Sequence, residues 1–261
     1  MSLEQIPLNF VDGSSWACVR EIVGFDEQSV NGTGILSAIR LLDRLLVNAP
    51  GTTVGPGYAV NLTSADRDRL LTAIYIQIYG SRVESTVNCE NCKKPFDIDF
   101  SLEQLLDSFN SGEVSAIQIE KKQGGLFKLP NGCCFRLPKG EDECAVLGMT
   151  PEDAEKELLK RCVLKGDPTG EKESLQDIMQ ELAPLVDLNM DAHCPECNEH
   201  QLIHFDIQHF LLSSLKQEQR QLAYEVHRLA GAYGWSLNEI LELPRSIRRT
   251  YVNLVESELG L

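Results

Sequence analysis

Apolar residues recur at helical spacing along much of the chain, and the residues between these runs mark where helices start and stop. In the first 60 residues, Ile35, Leu36, Ile39, Leu42 and Leu46 predict one amphipathic helix, preceded by a short apolar segment at 16–22. Residues 49–57 are rich in glycine and proline and read as a linker. A second helix is expected to start at Thr63 or Ser64, either of which can cap it, with Asp66 in its first turn. Leu70, Leu71, Ile74 and Ile78 form its buried stripe, and Gly80 is its stop.

Between 115 and 137 the pattern changes to strands. Segments 126–130 and 133–137 flank Asn131-Gly132, which predicts a two-residue hairpin turn. Two helices follow. Thr150 caps the first with Pro151 in its first turn, and Ser174 caps the second ahead of Ile178, Leu182 and Leu185. From residue 207 the chain reads as helical, with Ile207, Leu211, Leu215, Leu222, Val226, Leu229 and Tyr233 on one side. Ser236-Leu-Asn-Glu239 is a capping box, and Trp235 and Ile240 occupy the staple positions around it. Leu243-Pro244 then separates that short helix from a last one striped by Ile247, Tyr251 and Leu254. The expected class is α+β, mainly helical.

With 261 residues, 43% of them hydrophobic, the chain can bury one large core or two small ones. The formal net charge of −15 argues against nucleic acid as a partner. The densest basic cluster, Arg245, Arg248 and Arg249, reads as a solvated helix face. No apolar run approaches the ~18 residues that span a bilayer, so membrane insertion is not expected. Residues 1–10 lack the basic region and apolar stretch of a secretory signal.

The nine cysteines change the picture. Cys133, Cys134 and Cys162 fall in the patterns above as small core hydrophobes. Two C-x-x-C knuckles stand apart, Cys89-Glu-Asn-Cys92 and Cys194-Pro-Glu-Cys197. Each knuckle can aim two thiolates at one ion, and together they complete a tetrahedral, structural zinc site with ligands Cys89, Cys92, Cys194 and Cys197. His193 and His200 flank the second knuckle and are the alternative ligands. Scattered cysteines without a disulfide framework point to a reducing cytoplasm.

Cys92 and Cys194 lie 102 positions apart, far for a compact ribbon. A shift of 105 positions nevertheless superposes the two regions without a gap. Cys89 then falls on Cys194, Cys92 on Cys197, Ile98 on Ile203, Phe100 on Phe205, Leu102 on Ile207 and Leu106 on Leu211. This predicts a split zinc ribbon built from two pseudo-repeated knuckles, with 107–188 as an insertion that carries the β-hairpin region. The expected organisation is an N-terminal segment and linker at 1–60, a helix and first knuckle at 61–106, the insertion at 107–188, and the second knuckle with a helical arm at 189–261.

Enzymatic signatures are missing from the sequence. There is no H-E-x-x-H, no phosphate loop and no G-x-S-x-G, and His193 rather than proline precedes Cys194, which breaks the zinc-deaminase pattern. His204 and His209 beside the second repeat read as surface or core-rim residues. A closed tetrathiolate does not activate water, so no catalysis and no small-molecule substrate are expected.

Several stretches resemble the baseplate hub assembly proteins of T-even-like phage tails, a family also found in the gene clusters of contractile injection systems. They are Leu62-Thr-Ser-Ala-Asp-Arg-Asp-Arg-Leu-Leu71, Ile78-Tyr-Gly-Ser-Arg82 and the first knuckle. Phe135-Arg-Leu-Pro138, Leu158-Leu-Lys-Arg-Cys162 and Glu225-Val-His-Arg-Leu-Ala-Gly-Ala-Tyr-Gly-Trp235 add to them. The likeness runs from about residue 20 to residue 254. It implies a non-catalytic baseplate assembly chaperone or component in a bacterial cytoplasm or an assembled particle. Its partners would be hub, spike or adjacent tail proteins, and its cysteine knuckles would hold a structural metal. The reading that competes with it is a zinc-ribbon adaptor in a transcription or other nucleic-acid machine.

Overall fold

The computed structural model describes residues 3–10, 16–48, 54–111, 119–166 and 175–258. Ser174, the expected cap, and 49–53 of the linker lie outside them. In chain order, β1 (Leu3–Pro7) and β2 (Trp16–Arg20) precede α1 (Gly24–Ser29), α2 (Ile35–Leu45) and β3 (Leu46–Val47). Then come α3 (Ser64–Tyr79), β4 (Arg82–Asn88), β5 (Pro95–Ser101) and α4 (Leu102–Ser111). The chain continues through β6 (Glu120–Lys122), β7 (Leu126–Lys128), β8 (Cys134–Arg136), α5 (Gly140–Ala145), α6 (Pro151–Cys162) and β9 (Val163–Lys165). Next are α7 (Leu175–Leu182), β10 (Asp187–His193), β11 (His200–Asp206) and α8 (Ile207–Gln217). The C-terminal arm is α9 (Gln219–Tyr233), α10 (Leu237–Glu242) and α11 (Arg245–Glu258). The class is therefore α+β, with small sheets among many helices. No helix of the described residues is long and apolar enough to cross a membrane.

Two compact units form. One comprises Met1–Ile6, Trp16–Ala59 and Gln208–Leu261, the other Pro7–Ser15 and Val60–Ile207. Each is built on the same β-β-α-α-β module, with sheet order β1-β2-β3 in the first and β6-β7-β8-β9 in the second. A shift of 116 positions carries Arg20, Gly24, Asp26 and Glu27 onto Arg136, Gly140, Asp142 and Glu143. The contacts repeat with the residues. Arg20 grips the Asp26 carboxylate with both terminal nitrogens, at 2.7 and 3.0 Å, and Arg136 does the same to Asp142, at 2.5 and 2.9 Å. The Val23 amide donates to Asp26 and the Lys139 amide to Asp142, and a second arginine, Arg44 or Arg161, closes each cluster. Such a fully bonded carboxylate is tolerable in a dry core only because every lone pair is met. Segment 107–188, read from the sequence as an insertion, thus contains a module with its own counterpart earlier in the chain.

Each module receives the N-terminus of a helix. In the first unit the Arg245 amide donates to the Ile22 carbonyl at 3.0 Å, and Val23 bridges Pro244. In the second the Ser64 amide donates to the Pro138 carbonyl at 3.2 Å, and Thr63 bridges Lys139. Thr63 caps α3 by accepting the Asp66 amide, and the Asp66 carboxylate accepts the Asn9 and Phe10 amides. Ala65 of α3 joins the second unit's core with Phe127, Leu129, Phe135, Leu137, Leu175 and Ile178.

Three expectations are corrected. The β7–β8 register pairs Phe127 with Phe135, so Pro130, Asn131 and Gly132 all lie in the turn. Only Gly132 of these has positive φ, at 88°, whereas a two-residue turn of the expected type needs it at both positions. The arginines of α11 are not a solvated face. Arg245 and Arg248 are buried among Glu27 of α1, Glu225 of α9 and Glu218, the N-cap residue of α9, all brought from distant sequence. Ile247 and Leu254 are correspondingly turned out, 45% and 49% exposed, and Val252 and Val255 face the core. The stripe read over 207–233 is not one helix but two, broken at Glu218, whereas the breaks at Gly234, with φ 69°, and at Leu243-Pro244 fall where the capping box and the Leu-Pro pair put them.

Candidate metal centre

Two β-hairpins build the site, both in the second unit. β4 pairs with β5 from Arg82↔Ser101 to Asn88↔Pro95, and β10 pairs with β11 from Asp187↔Asp206 to His193↔His200. The registers coincide under the 105-position shift. The turns coincide as well. The Lys93 amide donates to the Cys89 carbonyl at 3.0 Å and the Asn198 amide to the Cys194 carbonyl at 2.9 Å. Lys93 and Asn198 both take left-handed backbone, at φ 61° and 57°, which is uncommon for residues with a side chain. These paired turns fold each C-x-x-C so that its two sulfurs point the same way.

All four sulfurs of Cys89, Cys92, Cys194 and Cys197 lie within 4.8 Å of one another. Cys89 Sγ stands 3.6 Å from Cys197 Sγ, and Cys92 Sγ 3.7 Å from Cys194 Sγ. Metal–sulfur bonds of about 2.3 Å in a tetrahedron give sulfur–sulfur edges of about 3.8 Å. A disulfide would need about 2.05 Å. The donors therefore fit a metal ion and not a pair of disulfides. Cys89 and Cys194 are buried, Cys92 is half-buried, and Cys197 faces solvent.

Local electrostatics favour charge on this cluster but oppose crowding it. The amides of Cys92 and Asn91 donate to the Cys89 sulfur, and they lower its pKa to about 7 against the penalty of desolvation. The Lys94 amide acts on Cys92 in the same sense. Desolvation and the neighbouring sulfurs outweigh it and push Cys92 up to about 11. One thiolate is easily held and further ones repel it, a conflict that a divalent cation resolves.

The surroundings join the hairpins. Val87, Phe96, Ile98, Ala192 and Ile203 pack around Cys89 and Cys194. Buried Gln201 accepts the Glu90 amide at 2.9 Å and donates to the Asn88 carbonyl at 3.3 Å. On the outside, Lys94 pairs with Glu196 at 2.6 Å across the two knuckles. His193 and His200 are no part of the four-sulfur group. Their exposed rings lie against each other at 5.1 Å, and His200 engages Asp191 at 2.7 Å. His204 pairs with Asp187 at 3.4 Å.

The knuckles and their repeat were legible in the sequence, whereas Gln201 and the Lys94–Glu196 pair were not. The buried carboxylate clusters had a readable signal, the pattern R-x-x-x-G-x-D-E at 20–27 and again at 136–143. No family model, curated protein or solved structure matches the chain.

Proposed function

We propose that the four cysteines hold one structural zinc ion in a split ribbon, and that the protein is a non-catalytic assembly factor of a contractile tail baseplate. The observation that carries the metal reading is the cluster of four sulfurs within 4.8 Å of one another, with two contacts of 3.6 and 3.7 Å that match the edge of a tetrathiolate tetrahedron. Four sulfurs leave a tetrahedral ion no position for water, so the ion would serve as a staple between hairpins. Tetrahedral sulfur ligation suits zinc or iron, and zinc is the choice for a closed site without redox work. The tail reading is supported by the likeness of 62–71, 78–82 and the knuckles to hub assembly proteins. A net charge of −15 suits basic partner surfaces among hub, spike or neighbouring tail proteins. The competing adaptor reading needs a basic face. Its best candidate residues, Arg245 and Arg248, are buried and matched by glutamates.

Deleting the gene in its native cluster tests the functional reading. Contractile particles should then lack complete baseplates, and the tagged protein should co-purify with a hub or spike protein. Normal particles at normal yield, with no tail protein bound, would overturn it.

A further inference from the structure

The two halves of the chain run through the same elements. β1, β2, α1, α2, β3, α3, β4, β5 and α4 of 3–111 correspond in order to β7, β8, α5, α6, β9, α7, β10, β11 and α8 of 126–217. The shift is 116 positions from Arg20 to Arg136 and 105 from Cys89 to Cys194, so the correspondence spans both repeats. Among the described residues, β6, which adds a fourth strand to the second sheet, and the helices α9, α10 and α11 lie outside it.

The halves do not keep their helices to themselves. α3 belongs to the first half, yet its N-terminus docks on the module of the second. There Arg67 meets Glu143 at 3.0 Å, and the Gly140 amide donates to the Leu62 carbonyl at 3.1 Å. α11 belongs to the second half and docks on the module of the first, where Arg245 and Arg248 meet Glu27 at 2.8 and 2.7 Å. Each docking uses the same parts. These are the strand edge before the short helix (Ile22-Val23 or Pro138-Lys139), the glutamate at its first turn, and an arginine on the incoming helix. The metal cluster is shared in the same spirit, two sulfurs from each half. Its two close contacts, Cys89–Cys197 and Cys194–Cys92, exchange under the 105-position shift.

We propose that this chain is a fused pair of like halves, joined by reciprocal helix exchange and by one shared metal ion, and that the joint assembles in trans. The notch at Val23 and Glu27 recognises an arginine-bearing helix N-terminus from a separate polypeptide as well as from its own chain. So does the notch at Lys139 and Glu143. Covalent continuity between the halves is then dispensable for the fold.

The test introduces a protease site into 112–118 of the full-length protein, purifies it without chelator, and cleaves the chain. The two fragments should co-elute at the volume of the uncut protein in 1:1 ratio. Fragments that separate on the column overturn the proposal. If the inserted site prevents cleavage, 1–114 carrying a tag is co-expressed with 115–261. Capture at 1:1 is expected, and a tagged half recovered alone, or no soluble half, overturns it. Fragments that co-elute with no metal would remove zinc from the joint and leave helix exchange standing, so the two readings fail separately.

Discussion

Phe100 and Phe205 meet edge to face, with ring centroids 4.9 Å apart and planes at 84°. They are each other's counterparts under the 105-position shift, so their contact lies near the pseudo-twofold relation that also exchanges the sulfur pairs. A repeat read along the sequence thus becomes a contact between equivalent residues. In a double-mutant cycle of Phe100→Ala and Phe205→Ala, urea unfolding should show a coupling of about 0.5–1.5 kcal/mol. Additive effects would mean that the rings do not support each other.

Asp142 shows the cost and the use of a buried charge. Burial pushes its pKa up, but Arg136, the Lys139 amide and Arg161 outweigh that and hold it at about 2. The folded value lies below the unfolded one, so its stabilisation is present above about pH 4 and is lost as pH falls toward 2. Asp142→Asn should destabilise the protein by ~3–5 kcal/mol at neutral pH, because two arginines lose their anion. A change under 1 kcal/mol in chemical denaturation would contradict this.

Asp68 has the opposite sign. Burial raises its pKa to about 7, against Arg67 and the Val186 amide. The folded state then keeps a proton that the unfolded chain releases from about pH 4 upward, so this group lowers stability as pH rises from about 4 to 7. Asparagine can still accept from the Val186 amide, which stands 3.1 Å away. Asp68→Asn should therefore gain stability relative to the wild type over that window, and parallel stability–pH curves would refute the assignment.

The Ser236 hydroxyl accepts the Glu239 amide at 3.3 Å, and Glu239 accepts the Ser236 amide at 2.8 Å. Trp235 and Ile240 pack in the same cluster as Leu229, Val252 and Val255. Ser236→Ala should cost about 0.5–2 kcal/mol, read as a fall in melting temperature.

What the sequence revealed depended on how local the physics was. Thr63, Thr150 and Ser236 were readable as caps because a cap needs only the next three residues. The knuckle pair was readable because cysteine spacing and the repeat are properties of the string. Arg248 was misread as solvated because its partners, Glu27 and Glu225, come from sites 221 and 23 positions away. Ile247 looked like core for the same reason, since helical spacing defines a stripe but not which stripe meets a neighbour. The turn at Asn131-Gly132 was placed correctly but one residue too short, because the strand register set by Phe127 and Phe135 moved its start.

Two cysteine substitutions separate ligand from core. Cys194→Ser should lower the melting temperature markedly and release metal, because binding of structural zinc is worth roughly 10–16 kcal/mol in small peptides. Cys133→Ser, in the apolar core of the second unit, should act as a modest packing change and leave metal bound. Equal effects would show that the ligands are misassigned.

The most direct measurement is the metal content, by elemental mass spectrometry, of full-length protein purified without chelator. The account predicts one zinc ion per chain, lost in Cys89→Ser and Cys194→Ser. Protein that is folded and carries no metal, or carries iron in place of zinc, would contradict it.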